Sequence, residues 1–431
     1  MKLKLKNIGK LKEADIKIDG ITIIAGKNNT GKSTVGKSLY CIFSSLYDVN
    51  KKIEEDRRNY IRREIERVFI NNSLGVRSMF FHIYDEIIEN IINNAIEENF
   101  EAAKEQILFI LQELSKKNKE SNIKRKINIP NDEFLNNIFC NIRDALAIPN
   151  EDFYKHRLEN IFAEEFKNQI NNINNNASGL IELTIKKTKM NVNVKGVALN
   201  TNLYMDLESD IVYVDDPFVL DNMDYVFSDD ILGHRDNIML KLQDSAKDAN
   251  MTADIILQDK IKSIMDKLDD IGVGKLVQDE EIYSDSFQYQ SQYDKKPIEV
   301  TNISAGLKTF IILKTLILNG HIKEKGCIVL DEPEIHLHPE WQLVFAELIV
   351  LLQKTFNLHI LLNTHSPYFL RAIQIYSAKY EIADRCNYYL AENDLENNMA
   401  VIRNVNNDTN VIYKLLYSPF QQLEDEIYYD N

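Results

Sequence analysis

The chain of 431 residues is long enough for a large buried core, and its 44% hydrophobic and 27% charged residues describe a globular protein and exclude wholesale disorder. A formal net charge of −15 opposes a broad, sequence-independent grip on nucleic acid, because such a grip depends on Lys and Arg neutralising phosphates. The four cysteines, Cys41, Cys140, Cys327 and Cys386, stand far apart without a CxxC pair, which argues against a zinc knuckle or hook and a disulfide framework and for reduced, structural thiols.

Residues 1–25 alternate in "KLKLKNI", continue through "ADIKI" and reach the apolar "ITIIA", which predicts two strands and a buried third. The Lys/Leu alternation builds no signal-peptide core. The longest apolar runs, "FIILKTLILNG" and "ELIVLLQ", are too short or interrupted to span a bilayer, so a soluble, cytoplasmic protein without a membrane partner is expected. After Gly31, Val35, Leu39, Ile42, Phe43 and Leu46 recur at helical spacing, and residues 1–48 form the first part of a core in which a strand turns through glycine into a helix.

From 49 to 175 the composition shifts to Asn, Lys, Glu and Ile. Ile53, Ile61, Ile65 and Phe69, then Ile83, Ile87 and Ile91, predict an inserted helical region too short and irregular in phase for a long coiled-coil arm, with "NNINNNAS" at 171–178 as its exit. Two stretches rich in Lys and Arg lie at 51–67 and 116–126; the first also carries five acids and reads as a solvated helix face.

Residues 176–431 form the second part of the core. Strands are predicted in "GLIELTIKKTKMNVNVKGVAL" and "DIVYVDDPFVL", helix from about 235 to 268, and a hairpin from "SFQYQSQY" to "PIEVTNI". The runs "CIVL", "HILLN" and "NYYLA" then alternate with helices and lack polar alternation, as buried parallel strands do. There are no internal repeats. The fold class is α/β.

The segment "GKNNTGKST", Gly26 to Thr34, matches G-x-x-x-x-G-K-[ST] between a buried strand and an amphipathic helix. Backbone N–H groups of Asn28, Asn29, Thr30 and Gly31 can wrap a phosphate there, helped by the positive end of the helix. Lys32 can reach the β- and γ-oxygens of ATP and Ser33 can offer its hydroxyl to Mg²⁺. In "CIVLDEPEIHLHPEWQ" four apolar residues deliver Asp331 and Glu332 to the end of a strand, the first suited to a magnesium shell and the second to polarising a water. Glu334, His336 and His338 have metal-like spacing but read as polar loop chemistry. In "HILLNTHSP" a strand ends at His365, one crossover helix after Asp331, which predicts that His365 shares a sheet edge with Glu332. Ser304, in "NISAGLKTF", would cap a nearly all-apolar helix that ends at Asn319-Gly320.

The P-loop, "ISAGLK", "LDE" and "NTH" occur in the order that resembles the ABC-type ATPases, the superfamily of transporter motors, SMC-like and RecF-like proteins. Within it, "GKNNTGKST" and "DEPEIHLHPEWQ" look most like the prokaryotic AAA-labelled, SMC-like ATPases that include the overcoming-lysogenisation-defect family and the defence ATPases of Septu and PARIS, here without a Toprim domain. The resemblance covers roughly 1–48 and 200–400. It implies a mixed-sheet P-loop core and a homodimer or higher even oligomer holding ATP and Mg²⁺. Ser304 and Gly306 of one chain would meet the γ-phosphate held by Gly26–Thr34 of the other; Glu332 would be the base, Asp331 and Ser33 the magnesium residues and His365 the γ-phosphate switch. A complete motor with no effector domain of its own leads to the expectation that ATP state gates a separate effector, a nuclease or toxin encoded nearby in an anti-phage system, with the insertion as its docking or sensing surface. A RecF-like DNA clamp, a transporter motor and an ATP clamp with almost no turnover are the alternatives. Residues 1–25 carry no aromatic residue to stack on adenine, and "VDDPFVLD" at 214–221 occupies the neighbourhood of the usual Q-loop glutamine.

Overall fold

The computed structural model describes residues 1–72, 79–120, 128–173, 177–196, 198–201, 204–225, 233–244, 251–278, 287–394, 396 and 398–429. They divide into two units, Met1–Tyr47 with Lys155–Asn431, and Asp48–Tyr154.

The first unit is built on an eleven-stranded sheet. Its strands are β1 (Lys2–Ile8), β2 (Leu11–Lys17), β3 (Ile21–Gly26), β4 (Gly179–Ile185), β5 (Thr188–Lys195), β6 (Ala198–Thr201) and β7 (Ile211–Val214). A separate three-stranded sheet holds β8 (Lys275–Gln278), β9 (Phe287–Gln290) and β10 (Ile298–Glu299), the last two being the hairpin expected before "NISAGLK". The large sheet is completed by β11 (Cys327–Asp331), β12 (His359–Thr364), β13 (Cys386–Asp394) and β14 (Met399–Asn404), in the order β6-β5-β4-β1-β2-β14-β13-β3-β12-β11-β7.

Its two halves differ in how the sequence pays out polarity. In β1 the leucines point inward and the lysines outward, so Leu3 and Leu5 are fully buried while Lys2 pairs with Asp15 across the strand at 3.0 Å. The strands from β13 to β7 run parallel and are buried on both faces. Ile24, Val329, Leu361 and Tyr213 face one core with helix α1 (Lys32–Leu46), whereas Ile23, Leu330, Leu362 and Val212 face the other. Unbroken apolar runs are what such strands require. The order also sets β12 between β3 and β11, so the turn after β12 reaches both neighbours.

The second unit contains α2 (Val49–Asn72), α3 (Met79–Ile96), α4 (Phe100–Glu120) and α5 (Asp132–Ala147), with Ile61, Ile65, Phe69, Ile91, Ile107 and Leu135 in its own core. The chain leaves it through α6 (Asn150–Phe166). Residues 155–173, which composition groups with the insertion, belong to the first unit, and Leu158, Ile161 and Phe162 enter the core of α1. Most of the basic stretch at 116–126, and the side chain of Ile83, lie outside the described residues.

The first unit also carries α7 (His234–Gln243), α8 (Met251–Asp270), α9 (Ala305–Leu318), α10 (Pro339–Phe356) and α11 (Pro367–Lys379). A last helix, α12 (Asn410–Tyr429), has no counterpart in the sequence reading; Ile412 is its buried anchor. Cys41, Cys327 and Cys386 are buried and Cys140 is exposed, all as free thiols. No helix among the described residues is long and apolar enough to cross a membrane.

Candidate nucleotide site

The parallel strands β3, β12, β11 and β7 end along one edge of the sheet, and the site is built there. After β3 the chain turns through Gly31 at φ 77°, where an added Cβ would lie 2.7 Å from Leu11 Cδ2, so the turn demands glycine for both conformation and space. Asn29 also takes a left-handed conformation, φ 60°, which asparagine tolerates. The Thr30 hydroxyl donates to the Lys27 carbonyl at 2.8 Å and closes the loop. Lys32 is 4% exposed, and its ammonium donates to the carbonyls of Gly26 (3.1 Å) and Lys27 (2.9 Å).

Asp331 ends β11 with both carboxylate oxygens engaged. Oδ2 accepts from the Tyr213 hydroxyl at 3.0 Å, and Oδ1 from Asn363 Nδ2 at 2.9 Å. Register explains the second bond, since Asn363 is the β12 partner of Asp331. Glu332 follows at φ 51° with its N–H donating to the Asn363 carbonyl at 3.0 Å. A non-glycine residue held left-handed is strained by an amount of order 1 kcal/mol or more, and this one is fastened on both sides. The carboxylate of Glu332 lies 3.5 Å from His365 Nδ1 and 3.3 Å from Lys32 Nζ. His365 holds the Glu332 carboxyl below the usual range, with Lys32 adding to the effect against the cost of burial. The same pairing raises the affinity of His365 for its proton.

Glu334 locks the two loops together. It is 2% exposed and accepts from the Thr364 hydroxyl at 2.5 Å and from the His365 N–H at 3.1 Å. Burial pushes its carboxyl up in spite of these bonds, and Oε2 has no hydrogen-bond partner among the described residues. Gln342 of α10 adds a second tie, accepting from the Ser366 hydroxyl at 2.9 Å and donating to the Leu337 carbonyl at 3.1 Å. The acidic loop and the histidine loop are thus one framework.

A cavity of about 490 Å³ opens over this edge, lined by Lys10, Asn28, Asn29, Thr30, Gly31, Lys32, Ser33, Thr34, Asp215, Asp331 and Glu332, with Ile335. Loop amides, a lysine and a helix start suit phosphate, and Ser33 and Asp331, which line the same cavity, offer the oxygen donors a hard cation such as Mg²⁺ prefers. Of the expected residues, Gly26 sits one step back and contributes its carbonyl to Lys32. Ser304 and Gly306 do not line this cavity. The Ser304 side chain caps α9 by accepting from the Leu307 N–H at 3.3 Å, and a Cβ at Gly306 would lie 2.8 Å from the His336 carbonyl. His336 meets Phe218 edge-on and the His338 side chain caps α10.

Tyr213, Asn363, Lys10 and Asp215 were not singled out from the sequence, and Glu334 was noted only for its spacing to His336 and His338. Asn363 had a signal, a lone amide in the apolar run of β12; the others acquire their place only through strand register.

Solved SMC head domains resemble the chain weakly: one from Thermotoga maritima is 11% identical, covering 94% of this chain and 98% of that one with a TM-score of 0.38. A second, bound to the C-winged helix domain of ScpA, is 12% identical over 95% and 98% of the two chains with a TM-score of 0.41. A curated relative described as "Retron Vc95 probable ATPase", from Vibrio cholerae serotype O1 biovar El Tor, is 34% identical over 87 residues. That match covers 18% of this chain and 16% of the relative's length. The family model described as "AAA ATPase domain" matches residues 1–370, the P-loop, the acidic strand end and His365 included. The chain belongs to this AAA ATPase domain family.

Proposed function

We propose that the protein is a dimeric ATPase of the ABC type whose nucleotide state gates a separate effector, a nuclease or toxin, in defence against phage. The observation that carries the dimer is the separation of two parts on one chain. Glu332 and Lys32 line the cavity and His365 reaches it through its 3.5 Å pairing with Glu332, while the capped N-terminus of α9 at Ser304 is not part of its lining. A helix start attracts phosphate, and a second copy arranged head to tail would bring Ser304 and Gly306 to the γ-phosphate of its neighbour. The defence role is supported by the local similarity to the retron ATPase.

In this reading the Glu332 carboxylate, kept ionised by His365 and Lys32, accepts a proton from the attacking water. The Lys32 ammonium exchanges its carbonyl partners for phosphate oxygens, and His365 donates toward the γ-phosphate. Ser33 and Asp331 would hold Mg²⁺, which would supply charge neutralisation on the phosphate oxygens. Asn363 and Tyr213 keep the Asp331 carboxylate oriented.

Glu332→Gln is expected to reduce turnover by about 10²–10⁴-fold and to trap an ATP-bound dimer or higher even oligomer, seen as a rise in solution mass. Ser304→Arg is expected to leave the mass monomeric with ATP present. Unchanged masses in both would refute the sandwich. Clearance of phage by this protein expressed without its neighbouring genes would refute the gated effector.

A further inference from the structure

Behind the cavity lies a buried imidazole with two carboxylates and two aromatic rings around it. His234 opens α7 with its side chain 7% exposed. Its Nδ1 is 2.8 and 2.9 Å from the two oxygens of Glu165, itself 2% exposed, and its backbone N–H donates to Glu165 at 3.2 Å. On the other side Nε2 lies 3.0 Å from Asp215 Oδ2 and forms an ion pair with it when the imidazole is charged. The imidazole ring stacks on Tyr213 at 4.3 Å and 22°, and Tyr40 meets its edge at 5.9 Å.

Each of these neighbours leads to the nucleotide edge. Asp215 lines the cavity and is also held by Arg235 at 2.9 Å. Tyr213 donates its hydroxyl to Asp331. Glu165 pairs with Lys37 at 3.2 Å, on the helix that Lys32 begins. Burying this many charges is costly unless they are mutually satisfied, and apolar residues would pack the same space with less expense.

We infer that His234 is a positioning residue of the nucleotide–metal site: from behind, it fixes the Asp215 carboxylate and the Tyr213 ring, and through the Tyr213 hydroxyl the orientation of Asp331. The inference rests on reading the cavity as that site. Groups that orient a metal-holding carboxylate without touching the metal commonly change its affinity 10–100-fold when altered. His234 would act in this way, by preorganising the cation side of the cavity while leaving the phosphate loop alone.

The test uses Mn²⁺ as the probe, with its binding in the presence of a non-hydrolysable ATP analogue read by electron paramagnetic resonance. His234→Gln is expected to raise the Mn²⁺ dissociation constant about tenfold. Binding of a fluorescent ATP analogue in EDTA is expected to stay within about twofold, because the loop and Lys32 are untouched. Tyr213→Phe keeps the stacked ring and loses the hydroxyl, and a rise of about fivefold is expected. If His234→Gln does not fold, Tyr213→Phe and Glu165→Gln carry the same comparison. Lowered melting temperatures with an unchanged Mn²⁺ constant in the folded variants would make His234 a packing residue and overturn the inference. Absence of nucleotide-dependent Mn²⁺ binding in the wild-type protein would instead overturn the reading of the cavity, and the inference with it.

Discussion

In the first unit, buried polar side chains gather where the parallel strands end, with Lys32, Asp331, Glu334, Asn363 and Thr364 all under 9% exposed. In the unit Asp48–Tyr154 the one buried polar side chain among the described residues is Glu64, which faces Arg67 one helical turn on. Unpaired buried polarity costs several kcal/mol by common measures, so a fold keeps it where each group has a partner or a task. The first unit holds its polar groups in register across β7, β11 and β12, and the second is held by side chains such as Ile65, Phe69 and Ile91 that carry no chemistry. Stability and nucleotide chemistry are therefore separable by position along the chain.

The largest test of that separation is Phe69→Ala, at a side chain 1% exposed in the helical core. It is expected to destabilise that unit by about 3–5 kcal/mol in urea unfolding while ATP affinity stays unchanged. A matching loss of affinity would break the comparison.

A smaller effect is expected from pH. Burial opposes charging of His234, but Asp215 and Glu165 outweigh it and bring its pKa up to about 9 from the ordinary 6.5. A raised folded-state value stabilises fully below the unfolded value and ceases to do so above the folded one. The contribution of His234 to the first unit is therefore present below about 6.5 and lost as pH rises through about 9. Thermal melts at pH 6 and pH 9.5 should show a larger fall for wild type than for His234→Gln, with no such difference in the helical unit.

The smallest test compares two helix caps, Ser304 of α9 and Asn131 of α5, which accepts from the Phe134 N–H at 3.0 Å. Replacing either by Ala is expected to cost about 1 kcal/mol of monomer stability. If the proposed dimer exists, the Ser304 change alone should also weaken ATP-dependent association, measured by sedimentation.

Much of this edge could be read without coordinates, and for local reasons. Gly26–Thr34 declares itself because a phosphate loop is contiguous, and Asp331-Glu332 and His365 because each ends an apolar run. The pairing of the two acidic-strand and histidine loops followed from one crossover helix, and β11 and β12 are parallel neighbours. The roles of Tyr213, Glu334 and His234 were hidden, since each depends on which strand or helix lies alongside, and periodicity carries no register. The return of the chain to the first unit was misplaced because residues 155–173 share the Asn- and Glu-rich composition of the insertion. The helix α12 was missed where Pro419 interrupts an otherwise amphipathic run.

Gly306 is usually the kind of residue explained by a ligand passing close to the backbone. Here the close neighbour is the chain itself: a Cβ added at Gly306 would lie 2.8 Å from the His336 carbonyl and 3.4 Å from the Trp341 ring. The first turn of α9 is thereby seated against the same loop that departs from Glu332. Close packing ties the start of α9 to that loop, which gives a shift at Glu332 a short packed route toward Ser304.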